Sequence, residues 1–231
     1  MKHAGFIVAM LAGALLLGAV SCTEVGYYAQ CVEGHVGLLA RRQPIEAVLA
    51  DPAAAPEVKA KLATVLRIRD FASTGLSLPE NGSYRCYADL QRPDVVWNVV
   101  AAPEFSLEPK TWCFPVAGCV SYRGYYDEAA ARGMGEKLQT EGYDVHVYGV
   151  SAYSTLGWFD DPVLNTFLDR SDTGLAALVF HELAHQRLYV KGDSAFSEAF
   201  ATAVEEEGVA RWLRREGREV ELGGWRQAKE R

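Results

Sequence analysis

Apolar positions along residues 172–188 recur at helical spacing: Leu175, Leu178, Val179, Leu183 and Leu188. Ser171-Asp172 offers an N-cap ahead of them, and Arg187, Lys191 and Gly192 suit a helix C-terminus. A second helix is expected from Asp193-Ser194 through Ala195, Phe196, Ala199, Phe200, Ala203 and Val204 toward Gly208. Residues 44–76 predict two more. Pro44 opens the first and Asp51-Pro52 ends it. Pro56 takes the first position of the other, whose broad apolar face carries Val58, Leu62, Val65, Leu66, Ile68 and Phe71. Residues 127–141 predict a further helix, ended by Glu141-Gly142. Two stretches read as strands. Residues 94–102 hold Val95, Val96, Trp97, Val99 and Val100 in a buried run, and residues 143–153 alternate through Val145, Val147 and Val150. The second strand comes shortly before the helix over 172–188, and an extended peptide can add to its open edge through main-chain hydrogen bonds. Asn81-Gly82 marks a turn. The fold class is α+β.

The start of the chain changes the picture. Met1-Lys2-His3 is a short positive segment, Ala4 to Val20 is apolar, and Ala19-Val20-Ser21 places small residues before Cys22. Residues 1–21 are expected to be a signal peptide of the lipoprotein type, with a lipid on Cys22 anchoring the mature chain to a membrane. Cleavage without lipidation is the rival reading. A transmembrane anchor fits less well, because Gly13 and Gly18 interrupt a short apolar run. Losing residues 1–21 removes one lysine and no acid, so the net charge moves from −7 to −8. Residues 22–231 suit one sizeable domain. Mild acidity and the lack of a basic aromatic patch exclude nucleic acid as a partner. Arg211, Arg214, Arg215 and Arg218 beside Glu205, Glu206 and Glu207 read as a solvated, ion-paired face.

With Cys22 lipidated, Cys31, Cys86, Cys113 and Cys119 remain, and in an exported protein they can form two disulfides. Cys113 and Cys119 bracket a tight apolar turn and are expected to pair. Cys31 and Cys86 pair by default. No two thiols have the two-residue spacing of a cysteine metal site.

The candidate chemistry sits in His181-Glu182-Leu183-Ala184-His185, followed thirteen residues later by Glu198. Histidines four apart on a helix stand one turn above the other on the same face. Two neutral imidazoles and a carboxylate from the next helix make a zinc site that leaves one position for water, the ligand count of a catalytic site. Glu182 can take a proton from that water and pass it to a leaving amine. Thr202 and Glu205 are competing candidates to support a ligand from behind. Tyr153 and His146 are candidates for stabilising an oxyanion. Glu104, Asp160 and Asp161 are candidates to receive a substrate's free amine.

The chain resembles a family of bacterial exported proteins, the putative zinc aminopeptidases, whose third ligand is a glutamate. The matching stretches are Tyr27-Tyr28-Ala29-Gln30, Ile68-Arg69-Asp70-Phe71-Ala72, Val96-Trp97-Asn98-Val99, Trp112-Cys113-Phe114-Pro115, Tyr122-Arg123-Gly124-Tyr125, Ala152-Tyr153-Ser154-Thr155-Leu156-Gly157-Trp158 and Phe180-His181-Glu182-Leu183-Ala184-His185-Gln186. The resemblance implies that His181, His185 and Glu198 hold Zn²⁺, that Glu182 is the catalytic acid and base, and that the substrate is a peptide. The expected architecture is zincin-like: a small mixed sheet packed against the active-site helix and the ligand-bearing helix that follows. Two departures stand out. Ser197 replaces the asparagine of the family pattern, and family members usually continue well beyond this chain, which implies a C-terminal truncation. A lipid-anchored binding or structural protein with a non-catalytic zinc site is the rival reading. Hydrolysis of cell-wall peptide crosslinks fits the same residues.

Overall fold

The computed structural model describes residues 24–114, 118–152 and 154–229. The signal-peptide stretch 1–21, Cys22 and Tyr153 lie outside them. In chain order the elements are α1 (residues 24–40), β1 (Gln43–Pro44), α2 (Ile45–Ala50), α3 (Pro56–Leu76), β2 (Cys86–Ala88), β3 (Val96–Pro103), β4 (Trp112–Phe114) and β5 (Gly118–Val120). There follow β6 (Arg123–Tyr125), α4 (Glu128–Thr140), β7 (Tyr143–Val150), β8 (Val163–Leu164), α5 (Asn165–Leu168), α6 (Asp172–Arg187), α7 (Ser194–Arg215) and α8 (Glu221–Lys229). The class is α+β. None of the described helices is long and apolar enough to cross a membrane.

The chain folds as two compact units. The first combines the chain up to Ala40 with Val96–Trp112 and Val120–Tyr148. Its sheet has the order β6-β3-β7, with β6 and β3 antiparallel and Trp97 opposite Tyr125. α4 packs on this sheet. Its first turn is capped by Asp127, whose side chain accepts the Ala130 N–H. Arg123 is buried, 3.8 Å from the Tyr27 ring and paired with Glu24 of α1.

The second unit combines Arg41–Val95, Cys113–Cys119 and Gly149–Arg231. Its sheet, β1-β2-β8, is mixed and made of very short strands. The core lies among helices. α3 starts with Pro56 in its first turn and turns Leu62, Val65, Ile68 and Phe71 inward. α6 packs chiefly on α7 and α3, so its main partners are helices, where a sheet was expected. Leu175, Phe180 and Leu183 of α6 are fully buried; each such side chain contributes about 1.5–3 kcal/mol. The close approach of α7 to α6 needs Gly208, because a Cβ there would lie 2.8 Å from Phe180 and from Leu76 of α3.

Arg69 of α3 is completely buried. Its guanidinium donates to the carbonyls of Ser83, Pro79 and Asn81 and to the hydroxyl of Ser73. That ties the loop after α3 into the core. Asn81 donates to the Gln186 side chain at 2.8 Å, and Gln186 donates to the Ser83 hydroxyl. The loop thereby braces the end of α6. Arg69→Met leaves the carbonyls of Ser83, Pro79 and Asn81, the first buried and the others half-buried, without their donor. It is expected to cost at least about 3 kcal/mol in denaturant unfolding, and a loss below about 1 kcal/mol would contradict this role.

Cys113 and Cys119 are joined by a disulfide. The default pairing of Cys31 with Cys86 is corrected: both are free. Cys31 lies on α1 in the first unit, against the Gln30 amide, and Cys86 lies on β2 in the second, in register with Pro44.

Candidate metal centre

Ser171 caps α6 by accepting the Gly174 N–H at 3.0 Å. The helix stops at Arg187, four residues before Lys191, because Leu188 is extended. A short link follows, turning at Gly192 with φ of +86°. The buried Ser197 closes it: its hydroxyl accepts the Val190 N–H at 3.0 Å and donates to the Asp193 carbonyl at 2.9 Å. Asp193 caps α7 through the Phe196 N–H. The serine that departs from the family pattern thus fixes the turn that aims α7.

α7 presents an unexpected face. Ser197, Ala201, Glu205, Gly208, Val209, Trp212 and Leu213 point inward, while Phe196, Ala199 and Ala203 are exposed. The helix also runs past Gly208 to Arg215. Glu198 therefore stands at the surface, its side chain 61% exposed.

Even so, Glu198 meets the histidines. The Nε2 atoms of His181 and His185 are 3.2 Å apart. Glu198 brings Oε2 to 3.2 Å from His181 Nε2 and Oε1 to 3.4 Å from His185 Nε2. A tetrahedral ion with bonds of about 2.0–2.1 Å spaces its ligand atoms about 3.3 Å apart, so these separations fit zinc. Taking a single atom from each residue, the set spans at most 4.8 Å.

The tautomers agree with this arrangement. His181 Nδ1 donates to Glu205 Oε2 at 3.0 Å, which leaves Nε2 with a free lone pair. Glu205 Oε1 accepts from Lys229 at 2.9 Å. Of the two residues weighed as ligand supports, Glu205 is the one that bonds a histidine. Burial pushes the Glu205 carboxyl up, but the hydrogen bonds from His181 and Lys229 outweigh it and hold it below its ordinary value. The bond to Glu205 raises the His181 pKa, whereas burial lowers that of His185. His185 Nδ1 is buried and has no partner among the described residues. Its ring meets Tyr189 edge-on at 5.8 Å.

Glu182 is half-buried beside Tyr84, Ser154 and Asp161. Burial raises its carboxyl from 4.5 to about 7, opposed by His181 and assisted by Asp161. The Ser154 hydroxyl lies in hydrogen-bond contact with Glu182 and with Asp161. Tyr84, fully buried beside Glu182, is pushed well above its ordinary pKa, first by burial and then by that carboxyl. Its φ of +62° is unusual for an aromatic residue; the Tyr84 N–H is held by the Asp161 carbonyl at 2.7 Å. Neither Ser154 nor Tyr84 carries a sequence signal for this position, since both come from loops.

The remaining candidates are placed as follows. Asp161 is buried and accepts from the Thr155 N–H and hydroxyl, so its carboxylate is engaged in the fold. Asp160 accepts the Gly82 N–H. His146 belongs to the first unit, where it stacks on Tyr148, and Glu104 belongs to that unit too. β7, the strand proposed to receive a peptide, is an edge strand of the first unit's sheet.

A family model described as "Putative aminopeptidase" matches residues 26–231. The chain belongs to this family. The match spans both units and every residue of the metal centre. No curated protein and no solved structure matches the chain. In this aminopeptidase-family chain, two histidines and a carboxylate that could hold a metal ion converge beside the half-buried acid Glu182.

Proposed function

We propose that the chain is a zinc-dependent peptidase, of aminopeptidase type and zincin-like design, acting in the cell envelope and anchored there by a lipid on Cys22. The observation that carries the reading is the convergence of His181 Nε2, His185 Nε2 and the Glu198 carboxylate within 3.2–3.4 Å, beside the half-buried Glu182. When bound, Zn²⁺ supplies Lewis acidity, lowering the pKa of a water in its open position and polarising the scissile carbonyl. His181 and His185 each offer one neutral nitrogen, and Glu198 offers negative charge. Glu182 accepts a proton from the attacking water as its oxygen bonds to the carbonyl carbon. It returns that proton to the nitrogen as the C–N bond breaks. In the metal-free chain burial raises the pKa of this carboxyl, the direction that makes a carboxylate a stronger base than an exposed glutamate.

Export is supported by the positive start, the apolar run and the small residues before Cys22. The Cys113–Cys119 disulfide fits an oxidising compartment. One preparation tests the aminopeptidase assignment and the anchor together. Chain purified from the membrane fraction is incubated with a peptide pool and with its N-acetylated counterpart. Release of single residues from free N-termini only, by a chain whose Cys22 carries lipid mass, is the expected result. Internal cuts would contradict the aminopeptidase assignment, and a soluble chain with an unmodified Cys22 would contradict the anchor.

A further inference from the structure

We propose that Lys229 is a positioning residue for the metal centre: from α8 it clamps Glu205, and Glu205 in turn holds the His181 ring in its ligating orientation. The inference rests on the zinc reading above.

α8 has no buried residue. Leu222 and Trp225 are half-buried, and polar contacts hold its two ends. At its start, Glu221 accepts from the Thr173 hydroxyl of α6 at 3.3 Å and from the Arg218 guanidinium at 2.6 and 2.8 Å. Arg218 also reaches Asp172, the first residue of α6, at 3.6 Å. At its end, Lys229 donates to Glu205 at 2.9 Å and to Glu206 at 3.3 Å. The helix thus bridges from the first turn of α6 to the α7 carboxylates behind His181. A cleft of about 460 Å³ bordered by His181, Glu182, Glu205, Trp225 and Lys229 lies here.

The two ion pairs of Lys229 are unequal. Glu206 is half exposed, and a pair of that kind is weakly held. The Glu205 side chain is only 12% exposed, and its two oxygens are divided between two donors. A carboxylate held at one oxygen can still rotate about its side-chain bonds. Held at both, its plane is fixed, and so is the direction in which it receives the His181 Nδ1–H. That hydrogen bond sets the rotation of the imidazole, and the rotation decides whether Nε2 points at Glu198 and His185. Partners of this kind behind a ligand typically change metal affinity 10–100-fold.

The test compares zinc dissociation constants, by competition with a chromophoric chelator, for the wild-type chain, Lys229→Met, Lys229→Arg and Glu206→Gln. The unfolding midpoint of each metal-free protein is measured in parallel. Lys229→Met is expected to weaken zinc binding about tenfold with an unchanged midpoint. Lys229→Arg restores most of the affinity, and Glu206→Gln leaves it intact. If Lys229→Met also lowers the midpoint, the Glu205→Gln background decides. There the lysine substitution adds nothing if Lys229 acts through Glu205. Wild-type affinity in Lys229→Met, or the same loss whether or not Glu205 is present, would overturn the role. A wild-type chain that takes up no zinc would instead overturn the metal centre itself.

Discussion

Replacing Glu182 with glutamine leaves zinc in place and lowers kcat by about 10³-fold, within the 10²–10⁴ range for removal of a general acid and base. The amide keeps the shape of the side chain but cannot carry the proton. The same substitution has an opposite effect on stability. Burial raises this carboxyl from 4.5 to about 7, so the folded, metal-free chain binds the proton more tightly than the unfolded chain does. The stabilising contribution is fully present below about pH 4.5 and is lost as the pH rises through about 7. At pH 8 the wild-type fold carries an ionised carboxylate in a poorly solvated place, and glutamine removes that penalty. Metal-free Glu182→Gln should therefore be more stable than wild type by about 1–3 kcal/mol at pH 8 and nearly equal to it at pH 4. Full turnover in this variant would overturn the assigned role of Glu182, whatever its stability.

His185→Ala should lose both zinc and turnover. His185 is only 6% exposed, and burial keeps its imidazole neutral to a lower pH than usual, so it is ready to bind a cation without first losing a proton. Its removal leaves one nitrogen and an exposed carboxylate, too few donors for a catalytic zinc. Affinity is expected to fall well beyond the 10–100-fold typical of supporting residues. The substitution also removes a buried ring and its edge contact with Tyr189, so the unfolding midpoint of the metal-free chain is measured in parallel. Chelator competition measures the affinity, and near-native zinc binding by His185→Ala would exclude His185 as a ligand.

Much of this site was legible because its signal is local. Four residues of separation set the two histidines on one face of α6, and Ser171 and Asp193 announce the starts of α6 and α7 by their type. α3 and α4 were equally plain, since Pro56 and Asp127 fix their first turns. What misled was the apolar stripe of α7. Phe196, Ala199 and Ala203 look like a core face, yet they are exposed, because the inward face carries Ser197 and Glu205, whose polar groups find partners there. Hydrophobic periodicity cannot foresee a buried carboxylate satisfied by a histidine and a lysine. Lys229 was invisible for a related reason. Leu222 and Trp225 are the only large apolar residues of α8, too short a signal to place it, and Lys229 meets acids distant in sequence. The scaffold of Arg69, Asn81 and Gln186 depends on loop carbonyls, which a sequence does not reveal. The pairing of Cys31 with Cys86 failed because parity of cysteines says nothing about which compact unit each one joins.

The most direct test of the central claim is zinc content measured together with peptide cleavage on the same purified chain, before chelation, after it and after zinc is restored. The account predicts one zinc per chain, cleavage that disappears with the metal and returns with it, and neither in Glu198→Ala. A folded chain that holds no zinc, or cleavage that persists after the metal is stripped, would contradict it.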